Sequence, residues 1–429
     1  MARKMKDSGI EWIGEIPEGW SKNKVIRLFD IIGSGTTPKN ITSDFPVVNW
    51  IQSGDITGSF MPTCKNVISA NLLSQYSALK VYPAPFIIIA MYGASVGNAS
   101  ISLIDGCVNQ ACCVLSSPSC NLHYAFYVIK SAQSYLVRKA VGGGQPNISQ
   151  ETIKQLWLPL PPLSTQDIIV RNLDATCSKI DDLLSSVHAS IEEYKKLKQA
   201  VITLAVTKGV RGEREMKDSG VEWIGEIPKE WVIQKIKSIS SRINVGVVIR
   251  PSEYFDENGT VPFLRGINVK EYLISSDNMV YINESSNHIL SKSQVHTDDI
   301  LIVRDGSIGT SCVVPAEYDS ANVVSMVIVT PSISCDSRFI CYSLNSDVGK
   351  TQFTLTKIGS ALTHTSVSAV SDIIVAVPSC AEQKEIADYL DAKCAEIDGL
   401  IAKKEQLVKE LESYKKSLIY EVVTGKREV

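Results

Sequence analysis

The sequence predicts an α+β protein of two pseudo-symmetric halves, each a variable α/β module followed by a long helix, with the two helices pairing as a coiled coil. Three observations carry this. Met5 to Trp20 reads MKDSGIEWIGEIPEGW and Met216 to Trp231 reads MKDSGVEWIGEIPKEW, so 13 of 16 positions agree and only Ile10/Val221, Glu18/Lys229 and Gly19/Glu230 differ. That pair is 211 residues apart, whereas Leu173-Asp174 and Leu390-Asp391, Ile180-Asp181 and Ile397-Asp398, and Val206-Thr207 and Val423-Thr424 are each 217 apart, so the second variable module is 6 residues longer. A repeat of this length is a duplicated domain pair, not a solenoid unit of roughly 20 to 50 residues. Thirdly, Leu173, Cys177, Ile180, Leu184, Val187, Ile191, Tyr194, Leu197, Val201 and Leu204 step by threes and fours, as the a/d seam of a coiled coil does.

Each element follows from local chemistry. The strap (1–20) is expected to be extended or turn-rich, because proline disfavours helix at the preceding Ile16 and Ile227, and to be held by Trp12, Trp20, Trp223 and Trp231. The first variable module (21–160) carries strand-like runs at Pro46 to Ile51, Pro85 to Tyr92, Ala99 to Ile104 and Ala111 to Leu115, then one amphipathic helix over Leu122 to Val141. After a proline-rich entry comes the first helix (161–210), closed by Thr207-Lys208-Gly209, and then a linker with the repeated strap (211–231). The second variable module (232–377) repeats the order: Val261 to Leu264, Ile300 to Val303, Ser311 to Val314, Val323 to Val329, and a helix around Arg338 to Phe353. The second helix (378–429) repeats the seam at Leu390, Cys394, Ile397, Ile401, Val408, Leu411, Tyr414 and Leu418. A helix from Thr165 to Val206 is roughly 60 Å long. Its stripe needs a partner of equal length, and the duplicate is the natural one.

Composition narrows the function classes. Eleven cysteines without a CxxC pair, in a chain of 429 residues, read as reduced thiols of a cytoplasmic protein; adjacent Cys112 and Cys113 are expected on opposite faces of a buried strand. The longest apolar run, Phe86 to Tyr92, is far short of the about 20 residues that cross a bilayer, and no secretory signal opens the sequence. Net charge is −3, yet Ser21 to Leu160 carries 10 Lys+Arg against 5 Asp+Glu while Val232 to Val377 carries 11 against 14. Any nucleic-acid contact would therefore draw unequal electrostatic help from the two modules.

No catalytic constellation is repeated in both halves. Gly93-Ala94-Ser95-Val96-Gly97 has the GxSxG spelling, but a nucleophile elbow needs a helix after the serine, and Ala99 to Leu103 reads as a strand. The five histidines lack metal-ligand spacing. What the loops offer is polar. Gly33-Ser34-Gly35-Thr36-Thr37-Pro38-Lys39 can present hydroxyls and amides to phosphate, or be an ordinary turn. Gln145 and Asn147 can pair with adenine on a glycine-rich tip whose counterpart carries Lys357 and His364. Gln52 is matched by Arg265, Asp55 by Asn268 and Tyr92 by Arg304, ahead of the Ser307 turn; either arginine can read guanine or pair with Asp305.

Taken together, the paired WIGEIP straps, the GSGTTP turn, the strands IIIAMYG and ILIVRDG, the helix entries LPLPPLSTQ and VPSCAEQ, the Ile180-Asp181 and Ile397-Asp398 pairs and the closing VTKG and VTGK resemble the DNA-specificity subunit of type I restriction-modification systems. The resemblance covers essentially the whole chain. It implies that each variable module is a target-recognition domain for one half of a bipartite, gapped site on double-stranded DNA, and that the helices pair antiparallel, set the gap and dock two methyltransferase subunits. Those subunits methylate adenine N6 with S-adenosylmethionine, leaving this chain without cofactor or catalytic step, and a restriction and translocase subunit can join them. The DNA-facing residues are then Ser34, Thr36, Thr37, Lys39, Gln52, Tyr92, Gln145 and Asn147, with Arg265, Asn268, Arg304, Ser307, Lys357 and His364. The other readings are a serine hydrolase using Ser95 and a coiled-coil scaffold without DNA specificity.

Overall fold

In the computed structural model, which describes residues 3–39, 41, 43–142, 146–357 and 364–429, the apolar run after Pro85 becomes the strand Phe86–Ala90 in the middle of a five-stranded sheet. The order is Phe29–Gly33, Cys112–Pro118, Phe86–Ala90, Ala99–Ser102 and Phe60–Met61, antiparallel except for the last pair. Side chains alternate across a strand, so Ile87 and Ile89 enter one core while Ile88 and Ala90 enter another. Cys113 and Cys112 divide between the same two cores, on opposite faces as expected. Burial pushes the Cys113 thiol up to about 12. A three-stranded sheet, Cys107–Val108, Val47–Ile51 and Val67–Ser69, completes the first module.

By its contacts the chain forms two compact units, residues 1–187 with 406–429, and residues 188–405. The second is built on the sheet Ser240–Val245, Met326–Pro331, Ile300–Val303 and Ser311–Val313, with a three-stranded companion, Val280–Ile282, Val261–Leu264 and Asn322–Val323. Ile300 and Ile302 face one core, Leu301 and Val303 the other.

Three expected elements are divided. The helix over Leu122 to Val141 is Leu122–Ser131 and Gln133–Arg138, joined at Ala132, a turn that keeps both Ala132 and Leu136 in the core. The strand over Val323 to Val329 is split between two sheets, because Ser325 sits at φ 50 and turns the chain between Asn322–Val323 and Met326–Pro331. The helix around Arg338 to Phe353 is Ser337–Asn345 and Asp347–Lys357, separated by Ser346 in extended conformation. Each strap is a hairpin, Met5–Ile10 with Gly14–Pro17 and Met216–Asp218 with Glu226–Pro228. Trp12, Trp20 and Trp231 are buried, but Trp223 is 37% exposed: Trp12 has the Tyr135 ring at 6.4 Å, and Trp223 has no ring neighbour among the described residues.

The long helices are Leu163–Lys208 and Cys380–Val423, each ending near its predicted glycine. In the first unit Ile169, Leu173, Cys177 and Ile180 share a core with Leu418, Ile419, Val422 and Val423, and Lys415 reaches Asp181 at 2.5 Å, so the two helices run antiparallel there. In the second unit Lys198 meets Asp398 at 2.6 Å in the same sense. The repeated Ile-Asp pairs are thus the clasp of the helix pairing. The seam departs from the expected one towards its ends: Leu197, Leu204 and Tyr414 are exposed, whereas Ile202, Ala205 and Val206 are buried. A helix with 3.6 residues per turn drifts off a 3.5-residue stripe. Its last turns here pack on module residues such as Ile236 and Val375.

The helix entries explain their own spelling. Gln166 Nε2 donates to Pro161 O at 2.9 Å while its Oε1 accepts from Asn121 N, the cap of the helix Leu122–Ser131. Gln383 does the same with Pro378 O at 3.0 Å and Asp336 N. Two turns further on, Tyr127 donates to Asp174 at 2.6 Å and Tyr342 to Asp391 at 2.8 Å. These duplicated bonds tie each module to a long helix.

Candidate nucleic-acid interface

In the first unit one edge collects the ends of several strands around Asn109 to Cys112. Val108 pairs with Ile51, and Asn109 N donates to Ile51 O at 3.2 Å, which places Gln52 beside it. Ser34 Oγ donates to Cys112 O at 2.7 Å, and Thr37 Oγ1 donates to Gln110 Oε1 at 2.7 Å. Met91 N donates to Ala111 O, and the next residue, Tyr92, is bridged to Asn147. The structure therefore brings Ser34, Thr36, Thr37, Gln52, Tyr92 and Asn147 to one edge, with Tyr92 47% exposed. Lys39 follows, exposed, its backbone N–H bonded to Tyr76 Oη at 3.1 Å. Gln145 lies outside the described residues.

The glycine of the GSGTTP turn is required by packing. A Cβ at Gly35 would lie 1.7 Å from Val108 O, and one at Gly246 would lie 2.4 Å from Val323 O. Gly35 and Gly246 are 211 residues apart, so the second module makes the same close approach with Asn244-Val245-Gly246-Val247 in place of the hydroxyl-rich spelling.

The second unit gathers an equivalent edge. Leu264 pairs with Val323, and Arg265 follows it. Arg304 follows the strand Ile300–Val303, and its Nε donates to Thr365 O at 2.9 Å, bringing His364 alongside; Ser307 is exposed on the next turn. Arg265 donates through Nη2 to Asn278 O. Neither arginine pairs with Asp305, whose carboxylate instead accepts from Ser325 Oγ at 3.4 Å. The side chain of Lys357 lies outside the described residues.

One site assignment is corrected. Asn268 is fully buried: its Nδ2 donates to Ser275 O and Asp277 O, and its Oδ1 accepts from Arg265 N at 3.1 Å. Both its N–H donors and its carbonyl oxygen serve the turn that aims Arg265, and with no exposed surface it is not a DNA contact. Asp55 holds Gln52 N in the same way at 2.9 Å. Ser95 belongs to the turn Gly93–Ser95 and donates to Tyr92 O at 3.4 Å, and the strand Ala99–Ser102 follows instead of a helix, so no nucleophile elbow forms.

Sequence reasoning missed Arg250. It stands 211 residues after Lys39, the lag of the strap repeat, in left-handed conformation (φ 42), with a 77% exposed side chain near Glu253 at 3.2 Å. Extending the lag past the strap would have found it. Among the described residues no cluster of His, Cys, Asp or Glu is arranged to hold a metal ion, and no helix is long and apolar enough to cross a membrane.

The family model for the type I restriction modification DNA specificity domain matches residues 17–193 and again 228–410. The specificity subunit of the type I restriction enzyme MjaVIII of Methanocaldococcus jannaschii is 27% identical over 309 residues, spanning 71% of this chain and 69% of its own. That of EcoBI of Escherichia coli is 22% identical over 377 residues, spanning 84% of this chain and 78% of its own, and that of MjaIX of Methanocaldococcus jannaschii is 21% identical over 378 residues, spanning 85% and 84%. Among solved structures, a chain of a type I R-M system superposes with a TM-score of 0.73 at 14% identity, covering 95% of this chain and 98% of its own. The HsdS subunit from Thermoanaerobacter tengcongensis superposes at 0.51 and 15% identity, covering 96% and 98%.

Proposed function

The chain belongs to the type I restriction-modification DNA specificity family and is a DNA sequence-specificity subunit; we propose that its two modules read the two halves of a bipartite, gapped duplex target through their equivalent loop edges. The observation that carries this reading is the equivalence itself: Ser34 to Lys39, Gln52 and Tyr92 on one edge answer Val245 to Arg250, Arg265 and Arg304 on the other. Duplicated scaffolds holding different polar side chains suit two different half-sites. Arg265 and Arg304 are the guanine readers of the second module, while Gln52, Gln145 and Asn147 supply amides for the first. Lys39 and Arg250 bind phosphate.

The paired helices act as the spacer and dock two methyltransferase subunits, which bring S-adenosylmethionine and methylate adenine N6; a restriction and translocase subunit joins for cleavage. This chain contributes recognition and no catalytic step, and it works in the cytoplasm. A net charge of −3 fits a complex whose partners supply much of the phosphate neutralisation.

The test is modification-sensitive sequencing of genomic DNA from cells expressing this chain with and without its methyltransferase subunit. A gapped motif carrying N6-methyladenine only when both are present supports the reading and gives both half-sites. If an active, co-purifying methyltransferase produces no new motif, the scaffold reading replaces it.

A further inference from the structure

Glu382 lies in the first turn of the helix Cys380–Val423, with its side chain 2% exposed. Its carboxylate accepts from Arg214 Nη1 at 2.6 Å and Trp231 Nε1 at 3.2 Å, and Arg211 lies at 3.9 Å. Arg214 also stacks over the Trp231 ring at 5.3 Å.

The first unit builds the same place without the carboxylate. Arg3 and Trp20 stand 211 residues before Arg214 and Trp231, and the Arg3 guanidinium lies over the Trp20 ring at 5.4 Å. The position 217 residues before Glu382, however, is Thr165, and the helix Leu163–Lys208 has no acidic residue in its first turn. Trp20 is 3% exposed, and its Nε1 is buried without a hydrogen-bond partner. Beside it is a cavity of about 210 Å³ whose lining includes Arg3, Trp20, Thr165, Arg427, Glu428 and Val429. Among the described residues no carboxylate is within ion-pair distance of Arg3, and Arg427 has only Glu421 at 3.9 Å. A cation, an indole N–H without an acceptor and a helix N-terminus all favour a bound anion here.

We propose that this cavity is a carboxylate-binding site, the open counterpart of the place that Glu382 fills from within the chain. The carboxylate comes from a small organic acid or from an acidic side chain of a subunit bound to this protein. The site goes beyond DNA specificity and stands or falls separately from it.

The experiment uses the full chain labelled with ¹⁵N-tryptophan, the Trp20 Nε1–H signal being assigned with Trp20→Phe, and titrates sodium acetate against sodium chloride at equal ionic strength. A saturable shift of the Trp20 signal is expected. In Thr165→Glu that signal starts displaced, no longer responds to acetate, and Tm rises by about 2–4 °C. Arg3→Gln, an exposed change, raises the acetate Kd about tenfold. No saturable shift in the wild type, or an undiminished response in Arg3→Gln, overturns the proposal. A Trp20 signal that moves in Glu428→Gln without acetate also overturns it, since the chain would then fill the cavity itself. Addition of the methyltransferase subunit in chloride distinguishes the sources: a moved signal with acetate response abolished assigns the carboxylate to that subunit, and an intact acetate response assigns it to a small acid.

Discussion

Gln166 and Gln383 show how much one buried amide can decide. Each is at most 3% exposed and satisfies a proline carbonyl on one side and a helix-cap N–H on the other. Gln383→Leu leaves both without partners and should cost about 1–3 kcal/mol, read as a lower urea midpoint at unchanged slope. At the DNA edges, Lys39→Ala and Arg250→Ala should each weaken binding of the assembled complex across all sequences and reduce the salt slope by about one. Arg265→Ala, in contrast, should cost about 1–3 kcal/mol and relax the methylation motif at one position of one half-site. Thiol chemistry is equally uneven. Cys380 is exposed, while burial raises Cys113 to about 12 and so denies it the reactive thiolate. Iodoacetamide at neutral pH should therefore label Cys380 in the folded protein and Cys113 only after denaturation, as peptide mass mapping would show.

Among the elements, the long helices carry the most sequence information and one systematic error. Their repeated Ile-Asp pairs are legible as a repeat, but the purpose of the aspartates emerges only when Lys415 and Lys198 arrive from the other helix. Because Asp398 is 54% exposed, Asp398→Asn should cost no more than about 1 kcal/mol, measured by a double-mutant cycle with Lys198→Met. The 3-4 spacing placed Leu197 and Leu204 in the seam, and the structure exposes both, since the closing turns bury Ile202, Ala205 and Val206 in a core shared by the second module and by Ile386, Ala387 and Leu390 of the other helix. If the helices are the spacer, removing one heptad from each should change the gap in the methylated motif and leave both half-sites as they were. An unchanged gap would remove the spacer role.

For the molecule as a whole, duplication made the plan readable. Two lags, 211 and 217, delimit straps, modules and helices, and continuous apolar runs mark the central strands, which are buried on both faces. The loop edges were legible only in part. Tyr92, Arg304 and Gln52 follow strand ends, which local pattern reveals, but Asn268 looked like a contact until its burial was seen, and Arg250 was hidden by the loss of the GSGTTP spelling around a preserved Gly246. The sequence by itself determined the two-fold repeat, the strand and helix content and the family, because these rest on periodicity and recurring short motifs. Only the tertiary structure decided which helix end joins which module, which polar side chains are spent on turns, and that Trp20 lacks the carboxylate that Trp231 has. Those outcomes depend on burial and on hydrogen bonds that form only in the folded chain, such as Trp231 Nε1 to Glu382 across 151 positions, and no local spacing encodes them.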